Sequence, residues 1–384
     1  MPFYKILFLA LLCATSLTAQ TELEKFEQYK LQQQTDFQNY HDEINQAYRN
    51  YKDELNRLWK HPELSSKKKW LSYSKDKKTK TKVGFESKQI TIQTIASSEK
   101  EAQNRLKKAL AIVITDDTQS ANQRDVLQQK IETISKKNSQ VVSKKIKPQA
   151  ILTPIIFKKP PTSKDIINYV NTTVKPKTIS ISKAKNSKTE KVYTLTVALP
   201  KDLPIKRSKI YLKNVQKNAD RFKLPISLVF AIIETESAFN PRATSYVPAY
   251  GLMQIVPRTA GIDSYLFVYK KRKMPSAEYL YDGERNIEMG SAYLHILYYR
   301  YLKKIRDPQS RLYCTMAAYN TGAGNVAWAF TKKMNISKAA KKINSMKAKE
   351  VYNHLKAKLK YKEARNYLEK VNTRMLIYNK IFKL

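Results

Sequence analysis

Glu236 has the residue type and the position of a general acid. It follows residues 226–233, which are apolar on almost every side and therefore predict a buried helix. Asn240-Pro241 ends that helix, because the residue before a proline is driven out of the α conformation. Burial raises the pKa of a carboxyl, and the negative end of the helix dipole acts in the same direction. Glu236 is therefore expected to stay protonated near neutral pH and to donate its proton.

A buried acid of this kind often works with a second carboxylate, as it does in glycoside hydrolases. Glu234 lies two residues before Glu236, so a helix points it to a different face, as a hydrogen-bonded or solvated neighbour. Asp282 precedes another predicted helix and is better suited to capping it. Ser237 would orient Glu236 or only close the end of the helix. The residues alone give no convincing second carboxylate.

Other chemistries find little support in the sequence. The four histidines are scattered and form no close pair of metal ligands (His41, His61, His295, His354). The sequence contains no Gly-x-Ser-x-Gly motif and no glycine loop suited to phosphate. We therefore expect neither a metal nor another cofactor.

Several further motifs accompany Glu236 in order along the chain. They are Glu236-Ser237-x-x-Asn240-Pro241-x-Ala243-x-Ser245, then Gly251-Leu252-Met253-Gln254, Asn286-Ile287 with Gly290 and Tyr293-Leu294, Ala318-Tyr319-Asn320-Thr321-Gly322-Ala323-Gly324-Asn325-Val326, and Glu363-Ala364-Arg365-Asn366-Tyr367. In this order and at this spacing they resemble the soluble-lytic-transglycosylase (SLT) domain of bacterial cell-wall enzymes.

The resemblance implies an all-α, lysozyme-like domain and a peptidoglycan lyase that needs only one carboxyl. Glu236 would protonate the oxygen of the β-1,4 bond between N-acetylmuramic acid and N-acetylglucosamine. Its carboxylate would then take the proton of the muramoyl C6 hydroxyl, which attacks C1 and gives a 1,6-anhydro product. A lysozyme-type muramidase that uses water, and an inactive scaffold that binds the cell wall, remain the alternatives.

The same resemblance assigns substrate-binding roles to Ser245, Met253, Gln254, Tyr319, Asn320 and Tyr367. The hydroxyl of Ser245 and the amide of Gln254 suit hydrogen bonds to sugar N-acetyl groups. Met253 would pack beneath the site, and Tyr367 would lie close to the glutamate. For Tyr319 and Tyr367, packing in the core is the competing interpretation.

Two loops depart from the family pattern. Pro248 stands where the family often has glycine, and Asp282-Gly283 replaces its Asp-Pro turn. These changes affect loops rather than the acid, and they leave exo- and endo-cleavage both open.

The composition predicts a polyanionic partner. The chain carries 72 Lys+Arg against 32 Asp+Glu, a net charge of +40. Such charge suits nucleic acid, but it equally suits anionic cell wall or a membrane surface. No zinc-finger spacing or RNA-recognition motif is present. We expect peptidoglycan glycan strands as the partner and no nucleic acid, leave membrane association open, and find no indication of protein partners.

The N-terminus predicts export to the periplasm. Residues 1–19 combine Lys5, a short apolar core and mostly small and polar residues, as a secretory signal peptide does. Cys13 would allow a lipid anchor at the outer membrane, but Leu12 stands where lipoprotein signals have a small residue, which favours simple export. If the signal is removed, only Cys314 remains, most simply as a core residue.

Between the signal and the SLT-like region the sequence predicts mixed structure. Residues 20–62 form an amphipathic helical segment that pairs with another helix or lies on the domain surface. Residues 63–204 form a mixed α/β domain with a basic segment at 63–80, strands at 83–95 and 191–199 and an edge strand at 151–157. Helices are predicted at 97–114, capped by Ser98, and loosely within 115–150.

These residues resemble the N-terminal region of the membrane-bound murein transglycosylase C family. The similar features are Trp70-Leu71-x-Tyr73, residues 80–83, the strand at 85–95 and the helix after it. With residues 205–384 as the lysozyme-like domain, the predicted class is α+β: a mixed α/β N-terminal domain followed by an all-α catalytic domain.

Overall fold

The computed structural model describes residues 35, 38–137, 140–185, 187, 189–245 and 248–382. The predicted signal peptide, with Cys13, lies outside these residues, as does the start of the predicted segment 20–62. Among the described residues, no helix has both the length and the hydropathy needed to cross a membrane.

The N-terminal half contains a five-stranded antiparallel sheet in the order β1-β2-β3-β6-β5. Its strands are β1 (Lys69–Tyr73), β2 (Thr79–Gly84), β3 (Gln89–Ala96), β5 (Ile179–Lys183) and β6 (Lys191–Ala198). Along β3, Ile90 and Ile92 alternate with polar residues and are fully buried, so this face of the sheet carries the core. The predicted strand at 191–199 is confirmed.

Between β3 and β5 the described residues form five α-helices, and the first of them packs against the sheet. They are α2 (Glu99–Thr115), α3 (Thr118–Arg124), α4 (Val126–Lys136), α5 (Thr153–Ile156) and α6 (Ser163–Thr173). The predicted cap of α2 is confirmed, since the Ser98 hydroxyl accepts a hydrogen bond from the Glu101 N–H and the Glu101 carboxylate accepts one from Ser97. Leu106 and Leu110 of α2 are buried in the core that Ile90 and Ile92 also build.

The second half of the chain is nearly all helix, as predicted. Its helices are α7 (Leu203–Phe222), α8 (Ile226–Ser237), α9 (Ile262–Tyr269), α10 (Ala277–Tyr281), α11 (Gly283–Ile296), α12 (Pro308–Thr321), α13 (Ala323–Thr331), α14 (Ile336–Ile343), α15 (Ala348–Lys358) and α16 (Lys362–Phe382). Helix α8 is buried along most of its length and packs most extensively against α16. This mixed region followed by a helical domain is the predicted fold class.

One helix connects the two halves. Residues 38–56 form α1, whose buried stripe follows the predicted spacing. Its residues Ile44 and Ala47 belong to the core of the helical domain, whereas Leu55 packs with Ile95 of the sheet. Helix α1 is therefore a single amphipathic helix packed on its own chain.

Packing does not follow the order of the sequence. Leu127, Ile131 and Ile134 of α4 belong to the same core as α8, and β4 (Val141–Val142) pairs in parallel with β7 (Met274–Pro275). The helical core thus includes residues before position 204. The predicted division into segments 1–19, 20–62, 63–204 and 205–384 stays a prediction.

Two local predictions were wrong. Residues 151–157 contain the short helix α5 and no strand, because Pro154 fits the first turn of a helix, where its missing N–H costs nothing. The strand predicted at 83–95 is two strands joined by a turn in which Lys88 has a φ of 54°. For the basic segment at 63–80 no strand was predicted. It contains β1 and the start of β2, and Trp70 is buried there.

Candidate active site

Helix α8 places Glu236 in its last turn, inside the protein. Ala238 and Phe239 follow with φ values of 51° and 62°, so the chain turns sharply where neither residue is glycine. Each left-handed residue of this kind costs about 1–2 kcal/mol. The sharp end leaves the Glu236 carboxyl at the end of a buried helix, as the sequence predicts.

The surroundings of Glu236 favour its protonated form. The side chain is 6% exposed, and burial is the main reason why its pKa lies above the ordinary value. The ammonium of Lys67, with Nζ 3.6 Å from Oε2, and the hydroxyl of Tyr367 act in the opposite direction. The negative charge of Glu363 raises the pKa further. The carboxyl is suited to act as a general acid.

Neither carboxyl considered as a partner serves Glu236. Glu234 binds α16 instead, through Arg374 at 3.1 Å and through a 2.7 Å hydrogen bond donated by the Tyr378 hydroxyl. Asp282 caps α11 and accepts the Arg285 N–H at 3.1 Å, as predicted. Glu363, at the start of α16, is exposed; it belongs to the predicted C-terminal motif but was given no role there.

The turn Gly251–Gln254 is held by α11. The buried side chain of Asn286 donates to the carbonyls of Tyr250 and Leu280 and accepts the Met253 N–H at 2.7 Å. A Cβ at Gly251, where φ is 75°, would lie 2.3 Å from the Asn286 amide nitrogen. Glycine is therefore required for this turn to approach Asn286.

Ser237 connects the same turn to α8. Its buried hydroxyl oxygen lies 2.8 Å from the carbonyl of Leu252 and 3.0 Å from that of Ile233. The hydroxyl has one proton, so it donates to one carbonyl at a time. Of the two roles considered for Ser237, the structure supports closing the helix end, and it adds an anchor for the turn.

Gln254 presents an unused acceptor. Its side-chain nitrogen donates to the Gly251 carbonyl at 3.1 Å, whereas its Oε1 atom is buried and has no hydrogen-bond partner in the described part of the chain. A buried oxygen without a partner is uncommon in a native protein and suits a donor from a ligand. Ser245 lies half-buried in the neighbouring loop, where its hydroxyl accepts the Ala249 N–H at 3.0 Å.

Two tyrosines from different helices face the acid. Tyr319 of α12 donates its hydroxyl to the Met253 carbonyl at 2.8 Å, and the charge of Glu236 contributes to its raised pKa. The buried Tyr367 hydroxyl of α16 also lies close enough to Glu236 for each group to shift the pKa of the other. It forms no hydrogen bond of good geometry with any described residue. Asn320 follows Tyr319 and is half-buried.

Of the predicted residues, the structure thus gathers Met253, Gln254, Tyr319 and Tyr367 around Glu236 or the adjacent turn, and Ser245 lies in the next loop. Among the described residues, the Asn320 side chain forms no hydrogen bond with any of these residues. Sequence reasoning missed Lys67 at the acid, and it quoted Glu363 only as part of a motif, without a role beside Glu236. No local pattern marks Lys67, because a lysine in a lysine-rich segment is common.

A cavity of about 490 Å³ lies between α1, β1, β2, α2 and the α3–α4 junction. Thr244 lines it, next to Ser245, but Glu236 does not. In the described ranges, no group of three or more His, Cys, Asp and Glu side chains is arranged to hold a metal ion. Cys314 is buried and unpaired.

Comparison with known proteins gives matches on both halves of the chain. The model of the Transglycosylase SLT domain matches residues 213–344. The model of the Membrane-bound lytic murein transglycosylase C, N-terminal domain, matches residues 36–137.

Two similar proteins are each called membrane-bound lytic murein transglycosylase C. The one from Haemophilus ducreyi is 32% identical over 312 residues, which are 80% of this chain and 79% of that protein. The one from Serratia proteamaculans is 32% identical over 325 residues, 83% of this chain and 84% of its own. The solved 70-kDa soluble lytic transglycosylase of Escherichia coli aligns with a TM-score of 0.36 and 25% identity, covering 45% of this chain and 24% of that one.

Proposed function

From the membership of this chain in the membrane-bound lytic murein transglycosylase C family, we propose that it cleaves peptidoglycan without water. The bond cleaved is the β-1,4 bond between N-acetylmuramic acid and N-acetylglucosamine. The product carries a 1,6-anhydromuramoyl end. The family establishes an enzyme of the lytic transglycosylase kind, and the details of bond, product and residues belong to the proposal.

Glu236 carries both proton transfers. Its protonated carboxyl gives a proton to the bridging oxygen, and the bond from that oxygen to C1 of the muramoyl residue breaks. The carboxylate then takes the proton of the muramoyl C6 hydroxyl, while the C6 oxygen forms the new bond to C1. One group thus serves as acid and then as base, and it ends in its starting state.

Two features of Glu236 support this mechanism most directly. The carboxyl is buried, and among the described residues no second buried carboxylate lies beside it. Glu234 is engaged by Arg374 and Tyr378, and Glu363 is exposed. An inverting hydrolase would need a second carboxylate that holds a water on the opposite face of the sugar. Substrate oxygen atoms, rather than water, are therefore the better nucleophile for this site.

Substrate contacts follow from the same residues. The unpartnered Oε1 of Gln254 suits an amide N–H, such as that of a sugar N-acetyl group. Met253 would pack beneath the sugar, and Ser245, Tyr319, Asn320 and Tyr367 are the other residues proposed to bind the substrate. The net charge of +40 suits an anionic polymer as partner.

The test is mass spectrometry of sacculi digested with the mature protein and with Glu236→Gln. We expect anhydromuramoyl products from the parent protein and none from the variant. Glu363→Gln is the matched control, since it removes the other carboxylate near the acid, and it should still give anhydro products. Hydrated reducing ends that disappear in Glu363→Gln would replace this proposal with a hydrolase. No products from any of the proteins would leave a cell-wall-binding scaffold.

The proposed place of action is the periplasm. The signal pattern of residues 1–19 and the names of the relatives support export with association at a membrane. Fractionation of cells that produce the parent chain or Cys13→Ser tests lipid attachment. Equal release of both proteins in the soluble fraction would fit simple export, whereas release of the variant alone would indicate an anchor at Cys13.

A further inference from the structure

A tight turn of the N-terminal half reaches the active site. Ser66 and Lys69 pair at the base of this turn, with the Ser66 N–H donating to the Lys69 carbonyl at 2.8 Å. Lys67 and Lys68 are its two central residues. The Lys68 carbonyl accepts the Phe85 N–H at 3.0 Å, and the Lys68 ammonium pairs with Glu86. The turn is thus fixed to the sheet on one side.

The loop after the catalytic helix holds the other side of the turn. Asn240 is fully buried four residues after Glu236, and its side-chain nitrogen donates to the Lys67 carbonyl at 3.3 Å and lies 3.5 Å from that of Ser66. Its side-chain oxygen accepts the Arg242 N–H at 3.0 Å. The same short loop therefore positions Glu236 and the backbone of Lys67.

The Lys67 side chain extends to the acid. Its Nζ lies 3.6 Å from Glu236 Oε2, and the side chain is 40% exposed, against 6% for Glu236. The other titratable groups facing Glu236 are Tyr367 and Glu363 of α16 and Tyr319 of α12. Of these four groups, Lys67 is the one that carries a positive charge.

We propose that Lys67 is a positioning residue through which the N-terminal half completes the active site, its ammonium group stabilising the Glu236 carboxylate that forms when the acid has given up its proton. This inference rests on the function proposed above. It gives the N-terminal half a part in the reaction, in addition to its contacts with the helical domain.

The role follows from what one carboxyl must do in two steps. A buried acid without a cation nearby would have a pKa so high that it holds its proton and is a weak donor. An ammonium at 3.6 Å makes the acid stronger and stabilises the charge that appears on it. Because 40% of the lysine side chain is exposed, water screens the pair and leaves Glu236 protonated before the reaction.

Loss of the ammonium has a signature that a purely structural role lacks. The protonated carboxyl is active below its pKa, so activity falls as pH rises through that value. Lys67→Met raises the pKa of Glu236. The alkaline limb of the kcat/KM profile should therefore move to higher pH by about one to three units. The plateau below that limb should fall by about tenfold, because the acid is weaker.

The experiment uses the full mature chain and glycan strands as substrate. Lys67→Met is compared with Lys67→Arg, which keeps the charge, and with Lys68→Met, which removes the other central lysine of the turn. We expect profiles close to that of the parent for Lys67→Arg and Lys68→Met. Circular dichroism shows whether each variant is folded.

The outcomes separate the two proposals. A Lys67→Met profile that superimposes on that of the parent overturns the role of Lys67 while the proposed function stands. An equal, pH-independent loss in Lys67→Met and Lys68→Met also overturns it, because it indicates damage to the turn. If the parent protein releases no anhydro products, the proposed function itself fails. If Lys67→Met does not fold, a shifted limb in Lys67→Gln decides, and an unchanged limb there overturns the role.

Discussion

Replacement of Asn286 should separate the Gly251–Gln254 turn from the helix that holds it. Asn286 is fully buried in α11 and makes three hydrogen bonds, to the Met253 N–H at 2.7 Å, the Tyr250 carbonyl at 2.8 Å and the Leu280 carbonyl at 2.7 Å. Asn286→Ala removes all three. Since Met253 and Gln254 of this turn are predicted to bind the substrate, the change should lower both stability and activity.

The magnitude follows from these bonds. The Met253 N–H would remain buried without a partner, which costs about 1–3 kcal/mol. Each of the two lost bonds to a carbonyl contributes about 1 kcal/mol more. The free energy of unfolding should therefore fall by about 3–5 kcal/mol. The catalytic rate of the folded protein should fall as well, because the Gln254 side chain is no longer fixed.

Asn218→Ala is the matched control. Asn218 is a buried asparagine of α7, but its nitrogen makes only one hydrogen bond, to the Asn214 carbonyl one turn away, and its oxygen has no partner among the described residues. Its replacement should cost about 1 kcal/mol or less. Urea unfolding of the helical core and release of soluble glycan fragments measure the two effects. Equal losses of stability in the two variants, or full activity in Asn286→Ala, would refute the reasoning.

Three further changes test other parts of the structure. Gly290→Ala should lower stability by about 1–3 kcal/mol, because a Cβ there would lie 2.3 Å from Met253 Sδ, whereas Gly324→Ala, with its nearest contact at 3.5 Å, should not; thermal unfolding measures both. Folding raises the pKa of Glu236, so its stabilising contribution is complete below the unfolded value near 4.5 and is lost as pH rises through the folded value. Glu236→Gln should therefore gain stability over the parent in melting curves as pH is raised through that window, and a constant difference at all pH values would contradict the assigned burial. Arg207→Met should lower the free energy of unfolding in urea by about 3 kcal/mol or more, because the guanidinium donates hydrogen bonds to the buried carbonyls of Ile151 and Phe239. Arg221→Met, which removes an exposed ion pair, should lower it far less.

The sequence predicts the parts of the site that depend on local pattern. A nearly continuous apolar run, with Asn240-Pro241 ending the helix after it, is enough to place Glu236 at the end of a buried helix. An aspartate before α11 is enough to predict the cap of that helix. Each of these features depends on residues that are close together in the sequence, so a short segment is sufficient to predict it.

What escaped prediction depends on contacts between distant segments. Lys67 contacts Glu236 although most of the N-terminal half separates the two residues in the sequence. Its neighbours in the sequence are also lysines, so no pattern distinguishes it. The 151–157 segment was assigned to a strand on its apolar content, although Arg207 and Asp116 fix its backbone in another conformation. Helix α4 similarly has an apolar stripe, but the stripe does not reveal whether the helix packs in the core of the sheet or in that of the helical domain.

The sharp end of α8 shows how distant contacts support the chemistry. Ala238 and Phe239 together cost about 2–4 kcal/mol in their left-handed conformations, and the sequence offers no glycine that would relieve this. Arg207 offsets the cost, because its Nε and Nη2 atoms both donate to the Phe239 carbonyl, at 3.2 and 3.0 Å. The same guanidinium also binds the Ile151 carbonyl of the N-terminal half. The conformation of the chain directly after Glu236 is therefore stabilised from the half that also supplies Lys67, and for this reason we expect the two halves to act as one catalytic unit.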